Sequence, residues 1–104
     1  QSQVLPQRRS LSKDGVVVLV LKVDRQTGRS AETPVAMARG FMEASETTQL
    51  FEDLGNLLEN SLTDDENPVV GAEEARIKVR ETARRFIASE TRRSPMIIPV
   101  VMEV

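Results

Sequence analysis

The chain has 104 residues, 39% of them apolar and 29% charged, with a formal net charge of −2 at pH 7. That length suits one compact domain and leaves little room for two. Neither cysteine nor histidine occurs, and the aromatics are Phe41, Phe51 and Phe86. Disulfides, thiolate ligands, a cysteine nucleophile and a histidine triad are therefore excluded, and the core must be built from Val, Leu, Ile and Met.

The small negative net charge supplies no field that would gather RNA by bulk electrostatics. The longest apolar run, Val16 to Leu21, is six residues, where a membrane span needs about 20. No basic segment followed by an apolar stretch opens the chain, so no signal peptide and no membrane contact are expected. The lack of cysteine fits a reducing compartment, and a cytoplasmic location is expected. The chain begins at Gln1 rather than Met and is expected to be a piece of a longer protein.

Residues 1–12 read as a linker or arm, rich in Gln, Ser and Arg with Val4, Leu5 and Leu11 as its apolar members; the domain proper is expected over 13–104. Asp14-Gly15 is a turn signal. Val16 to Val23 is β-branched and continuous, which favours a strand. Asp24 to Arg29 is polar and reads as a hairpin loop, with Gly28 available for a positive-φ bulge. The returning strand is expected over Val35 to Phe41, with Pro34 at its start or on a sheet edge, because proline lacks a ladder donor.

Ser45-Glu46 is expected to open a helix with Ser45 as N-cap. Leu50, Phe51, Leu54, Leu57, Leu58 and Ser61 form its apolar stripe, with Glu52, Asp53, Glu59 and Asn60 outside. Thr63 to Pro68 breaks the helix as a solvated loop. A second helix is expected from Gly71 or Ala72 to Thr91, its stripe being Ala75, Val79, Ala83, Phe86 and Ile87. Glu73 and Glu74 stand at its start and Arg84 and Arg85 near its end, as the macrodipole prefers. Arg92-Arg93-Ser94-Pro95 stops it. Met96 to Val104 is a last strand in which Pro99 argues for an edge position or a bulge. The order is β-β-α-α-β, an α+β fold with a small three-stranded sheet and two helices packed on one face.

Alternate strand residues point to opposite faces. In the first strand Val17, Leu19, Leu21 and Val23 share one face and Val16, Val18 and Val20 the other. In the last strand Ile97, Val101 and Met102 share the run with Met96, Ile98, Val100 and Val104. Two helices, each about 10 Å across, cover one face of a sheet whose strands lie about 4.8 Å apart, and not both. The second apolar face must meet a second copy, another domain, or the terminal arm folded back. Candidate partner-facing residues are Val16, Val17, Val18, Leu19, Val20, Leu21, Ile98, Val100 and Met102; the pattern does not say which face is covered.

Chemistry of its own is poorly supported. Asp64 to Glu66 with Glu73 and Glu74 is an acidic cluster without the spaced ligands and glycine of a calcium loop, and the helix dipole accounts for the glutamates. Arg84, Arg85, Arg92 and Arg93 are the candidate RNA contacts, although placement toward a helix C-terminus explains them equally and no aromatic platform accompanies them. No glycine-rich phosphate loop and no activated nucleophile is evident. No catalytic residue, metal or cofactor is expected in the chain.

Several segments together carry a resemblance. Asp14-Gly15-Val16-Val17-Val18, Asp24-Arg25-Gln26-Thr27-Gly28 and Ala38-Arg39-Gly40-Phe41 resemble ribonuclease J beyond its catalytic core. The ending from Thr91 through Arg92-Arg93-Ser94-Pro95-Met96-Ile97-Ile98-Pro99-Val100 to Val104 is similar to that family's close, and Arg8-Arg9-Ser10-Leu11-Ser12 fits the linker into its C-terminal domain. The resemblance implies a parent with a metallo-β-lactamase core and an inserted β-CASP domain. Such a parent uses two zinc ions held by His and Asp to cleave RNA as endonuclease and 5′-to-3′ exonuclease. It implies that this domain supports homodimerisation and activity beside the parent's catalytic domains, and that RNA is met through the parent. None of the zinc-ligand motifs transfers to a chain without histidine.

Overall fold

The computed structural model describes residues 14–27, 29–62 and 71–104. The arm over 1–12, the Gly28 bulge and the Thr63 to Pro68 loop with its Asp64 to Glu66 acids lie outside the described residues.

Strand β1 (Val16–Val23) is the centre of a mixed sheet. Strand β2 (Val35–Arg39) pairs with it antiparallel, and β3 (Met96–Glu103) pairs with it parallel. A strand apolar on both sides suits the central position, while the prolines are confined to its flanks. Pro34 immediately precedes edge strand β2. Pro99 lies within edge strand β3, opposite Leu19. The amides of Met96 and Val104 donate to the Gly15 and Val23 carbonyls at 2.9 Å each. By the two-residue period, odd-numbered residues of β3 turn their backbone away from β1. Pro99 therefore lacks an N–H only on the open edge, and no ladder bond is lost.

The parallel pairing requires a long crossover, which is made by helices α1 (Ala44–Leu62) and α2 (Gly71–Thr91). Both helices cover the same side of the sheet. The core joins Val17, Leu19, Leu21 and Val23 of β1 to Ile97 of β3, Leu54, Leu58 and Leu62 of α1, and Ala75, Val79, Ala83 and Ile87 of α2. On α2 the expected stripe is the buried one, with Phe86 partly buried at its border.

Several boundaries differ from the sequence reading. The returning strand ends at Arg39, because Gly40 takes a φ of 65° and turns the chain out of the sheet. Phe41 then drops into the core and stacks on Phe51, with ring centroids 6.4 Å apart and planes 10° from parallel. Ser45 does not cap α1. The helix begins at Ala44, two residues earlier than a Ser45 cap would place it, and the Glu43 carbonyl accepts from the Glu46 and Thr47 amides at 2.9 and 3.2 Å. The buried stripe of α1 is Thr47, Leu54, Gly55, Leu58 and Leu62, while Leu57 is exposed. Gly55 is buried because α1 passes so near β2 that a Cβ there would stand 3.2 Å from the Pro34 carbonyl oxygen.

The ends of α2 are set by tertiary contacts. The Ala72 amide donates to Glu103 Oε1 of β3 at 3.1 Å, a carboxylate at the positive end of the helix. At the other end Arg92 adopts a φ of 59° and its amide donates to the Ala88 carbonyl at 2.9 Å, a left-handed stop made without glycine. Arg84 and Arg85 lie more than a turn before that end, and the last turn holds no basic residue. The macrodipole argument for them therefore fails, since the effect fades within the terminal turn.

The β1–β2 connection opens on an Asx turn. Asp24 Oδ1 accepts from the Gln26 and Thr27 amides at 2.8 and 3.0 Å. These bonds, that from Thr27 foremost, favour the carboxylate and hold Asp24 below its ordinary value of 3.8. A depressed carboxyl stabilises the fold above its unfolded value, and that contribution is lost as pH falls through the folded one. Asp24→Asn keeps the acceptor oxygen and removes the titration. The urea midpoint of the variant is expected to fall less steeply than that of the parent chain as the pH drops below 3.8. Parallel acid limbs would show that the turn does not contribute.

Candidate functional site

Residues paired across a sheet share a face, so the register maps the side away from the helices. Its rows are Arg39–Val16–Met96, Met37–Val18–Ile98, Val35–Val20–Val100 and Lys22–Met102. Neither helix reaches this side. Val35 and Met37 are 56% and 53% exposed, and Ile98, Val100 and Met102 are 39%, 40% and 41% exposed. Five of the eight large apolar side chains that are exposed among the described residues lie on this one surface; Leu57, Ile77 and Val104 lie elsewhere, and such a concentration marks a contact site.

Of the candidate partner-facing residues, Val16, Val18, Val20, Ile98, Val100 and Met102 lie on this outer face. Val17, Leu19 and Leu21 do not. They are 0%, 0% and 1% exposed beneath the helices and belong to the core. Both sides of β1 are apolar, so alternation alone could not separate them; the helices make the choice. Lys22, Val35, Met37, Arg39 and Met96 complete the surface and were not among the sequence candidates. Their signal was the alternation of Val35, Met37 and Arg39 with two alanines, which acquires meaning only once β2 is known to pair with β1.

The face is not flat throughout. A cleft of about 440 Å³ lined by Val16, Val18, Met37, Ala38 and Arg39 lies where β1 and β2 run side by side, with Arg39 at its end. Its walls are otherwise apolar, the composition of a recess that takes a buried side chain from a partner. Further clefts include one at the turn into α1, lined by Gly40, Phe41, Met42, Glu43, Glu46 and Arg93, and one along the β3 edge, where Ile98 and Pro99 meet Ile77 and Arg80 of α2.

The four arginines proposed for RNA have varied surroundings. Arg84 binds Glu81 at 2.8 Å, and this partner holds the Glu81 carboxyl below its ordinary value. Arg93 Nη1 donates to the Phe41 carbonyl at 2.8 Å, tying the end of α2 to the turn after β2. Arg92 provides the left-handed stop, and Arg85 is exposed on α2. Two of the four thus have defined intramolecular partners.

The chain has no histidine or cysteine, and among the described residues no three carboxylates converge as a metal site would need. Among the same residues no helix is long and apolar enough to cross a membrane.

Comparison with known proteins gives a consistent result. The family model described as the ribonuclease J C-terminal domain matches residues 3–104. Ribonuclease J2 of Bacillus subtilis is 32% identical over 102 residues, covering 97% of this chain and 18% of that protein. Ribonuclease J 1 of Streptococcus pyogenes serotype M3 is 32% identical over 100 residues, covering 95% and 18%. Ribonuclease J 2 of Staphylococcus epidermidis is 29% identical over 108 residues, covering 97% and 18%. The chain therefore spans under a fifth of the length of these relatives.

Proposed function

This chain belongs to the ribonuclease J C-terminal domain family, and on that premise we propose that it is a non-catalytic assembly module of a ribonuclease J-like enzyme. Its outer sheet face is buried in self-association of the parent, which holds the catalytic domains in their working arrangement. The nuclease chemistry, endonucleolytic and 5′-to-3′ exonucleolytic, belongs to the rest of the parent, as do the zinc ions and the contact with RNA. The setting is the cytoplasm.

The observation that carries this reading is the sidedness of the sheet. One face is sealed by α1 and α2, and the other leaves Val35, Met37, Ile98, Val100 and Met102 in water. Burying each such side chain stabilises an assembly by about 1.5–3 kcal/mol relative to full exposure, less in proportion to the area already covered. Several together offset the cost of association.

The test uses the full-length parent enzyme carrying Val18→Lys and Val100→Lys together. Two ammonium groups on the apolar face are expected to dissociate the assembly in sedimentation velocity and to lower RNA turnover, while the circular dichroism spectrum is kept. Unchanged mass and unchanged turnover in a folded variant would overturn the assembly role.

A further inference from the structure

The arm and the first helix carry opposite charge. Residues 1–13 include Arg8, Arg9 and Lys13 and no acidic residue. Residues 41–62, the turn into α1 and the helix itself, include five carboxylates and no basic residue. Two of those carboxylates, Glu43 and Glu46, line the cleft of about 410 Å³ at the turn, together with Gly40, Phe41, Met42 and Arg93. Both glutamates are exposed, and among the described residues neither side chain binds a basic group. Phe41 and Met42 give the cleft an apolar wall.

The chain enters the fold at the rim of this cleft. A Cβ on Gly40 would stand 3.7 Å from the Gly15 Cα. Asp14 accepts from the Ser94 amide at 3.0 Å, and Arg93, next to Ser94, donates to the Phe41 carbonyl at 2.8 Å. Leu11 is four residues before Gly15 and lies at most about 14 Å from it. The family match over residues 3–104 takes in the arm as well as the described fold.

We propose that residues 8–13 fold back into this cleft, with Leu11 against Met42 and the Arg8 and Arg9 guanidiniums on Glu43 and Glu46. Charge selects the cleft over the other surfaces of the domain. On the outer face of the sheet the arm would lay two guanidiniums over Val16, Val18 and Ile98 without a counter-charge, which is costly. In the groove along β3 it would meet Arg76 and Arg80, where Glu73 is already bound to Arg76. The cleft at α1 supplies free carboxylates and an apolar contact in one place.

A flexible tether of 13 residues ranges over roughly 20 Å. Docking residues 8–13 cuts the free part to residues 1–7 and fixes the direction in which it leaves the domain. The arm is then a clasp that sets how the domain is presented on its linker. This goes beyond the assembly reading and does not depend on what the outer face meets.

Disulfide trapping in the 104-residue chain tests the clasp, because the sequence holds no cysteine. Met42 is half-buried and Ile98 exposed, so replacing either spares the core. Leu11→Cys with Met42→Cys is expected to close an intramolecular disulfide on mild oxidation about tenfold faster than Leu11→Cys with Ile98→Cys, whose second thiol lies on the outer face. Arg8→Glu with Arg9→Glu is expected to slow closure of the Met42 pair about fivefold, and Glu43→Lys with Glu46→Lys to do the same. All four exchanges together are expected to restore the rate to within about twofold. A faster Ile98 pair would place the arm on the sheet, and equal rates would show a free tether. Either would overturn the proposal, as would a quadruple exchange that restores nothing. The assembly reading would survive that failure, since it is read from the mass of the parent carrying Val18→Lys and Val100→Lys.

Discussion

Gly15→Ala is expected to destabilise the domain by about 3–4 kcal/mol, combining a left-handed backbone penalty of about 1–2 kcal/mol with a steric clash. Gly15 has a φ of 82°. A Cβ on it would stand 2.3 Å from the Arg39 carbonyl oxygen and 2.4 Å from the Gly40 carbonyl carbon, both rigid backbone. The chain could relieve that overlap only by parting β1 from β2 where Val16 pairs with Arg39. The same glycine accepts from the Met96 amide at 2.9 Å, so the start of β3 would move as well. Asp14 beside it accepts from the Ser94 amide at 3.0 Å, which places all three strand ends around this point. Gly71→Ala is the control. Its φ is 84°, yet a Cβ there meets nothing within 4 Å, so the backbone term alone applies, about 1–2 kcal/mol. Urea unfolding of both variants separates the contributions, and equal losses would refute the steric argument. For a domain of this size, with a total stability of about 5–15 kcal/mol, the Gly15 loss is a large fraction.

Leu19→Ala is expected to cost about 3–4 kcal/mol, within the range for buried leucines truncated to alanine. Leu19 is fully buried, flanked by Ala36 and Pro99 in the sheet and covered by the helical layer. Small flanking residues leave little with which to refill the space, so the cavity term adds to the lost transfer energy. Val18→Ala, one residue away, trims the outer face instead and is expected to cost under about 1 kcal/mol at dilutions where the chain is monomeric. Chemical denaturation of the two variants measures the sidedness of β1 directly. Similar losses at the two positions would mean that the outer face is packed already, and the surface proposed for assembly would not exist.

Much of the fold was legible from local pattern. The run Val16 to Val23 reads as a strand from its β-branched content, the α2 stripe from its three- and four-residue steps, and the edge positions of Pro34 and Pro99 from the missing donor. These are short-range properties, set by backbone sterics and periodicity. Where local signals competed, the reading slipped. Ser45 is a fair N-cap by type, but Gly40 and the burial of Phe41 bring the chain into α1 two residues sooner. Leu57 follows the apolar spacing, yet the approach of α1 to Pro34 gives the buried position to Gly55.

Residue order alone thus settled the elements, their succession, the chemistry that a chain without His or Cys cannot perform, and a likeness to ribonuclease J that comparison upheld. Packing decided which side of β1 is sealed, because Val16 to Leu21 is apolar at every position and alternates without distinguishing its faces, with Lys22 as the one polar residue on the outer side. Helices seated on Val17, Leu19 and Leu21 broke that symmetry and left Val16, Val18 and Val20 outside. The pairing of β2 and β3 with β1 then assembled Met37, Ile98, Val100 and Met102 into one surface, with Arg39 and Glu32 at its opposite ends. Residues this far apart in sequence become neighbours only through long-range hydrogen-bonded register, which no short window of sequence contains.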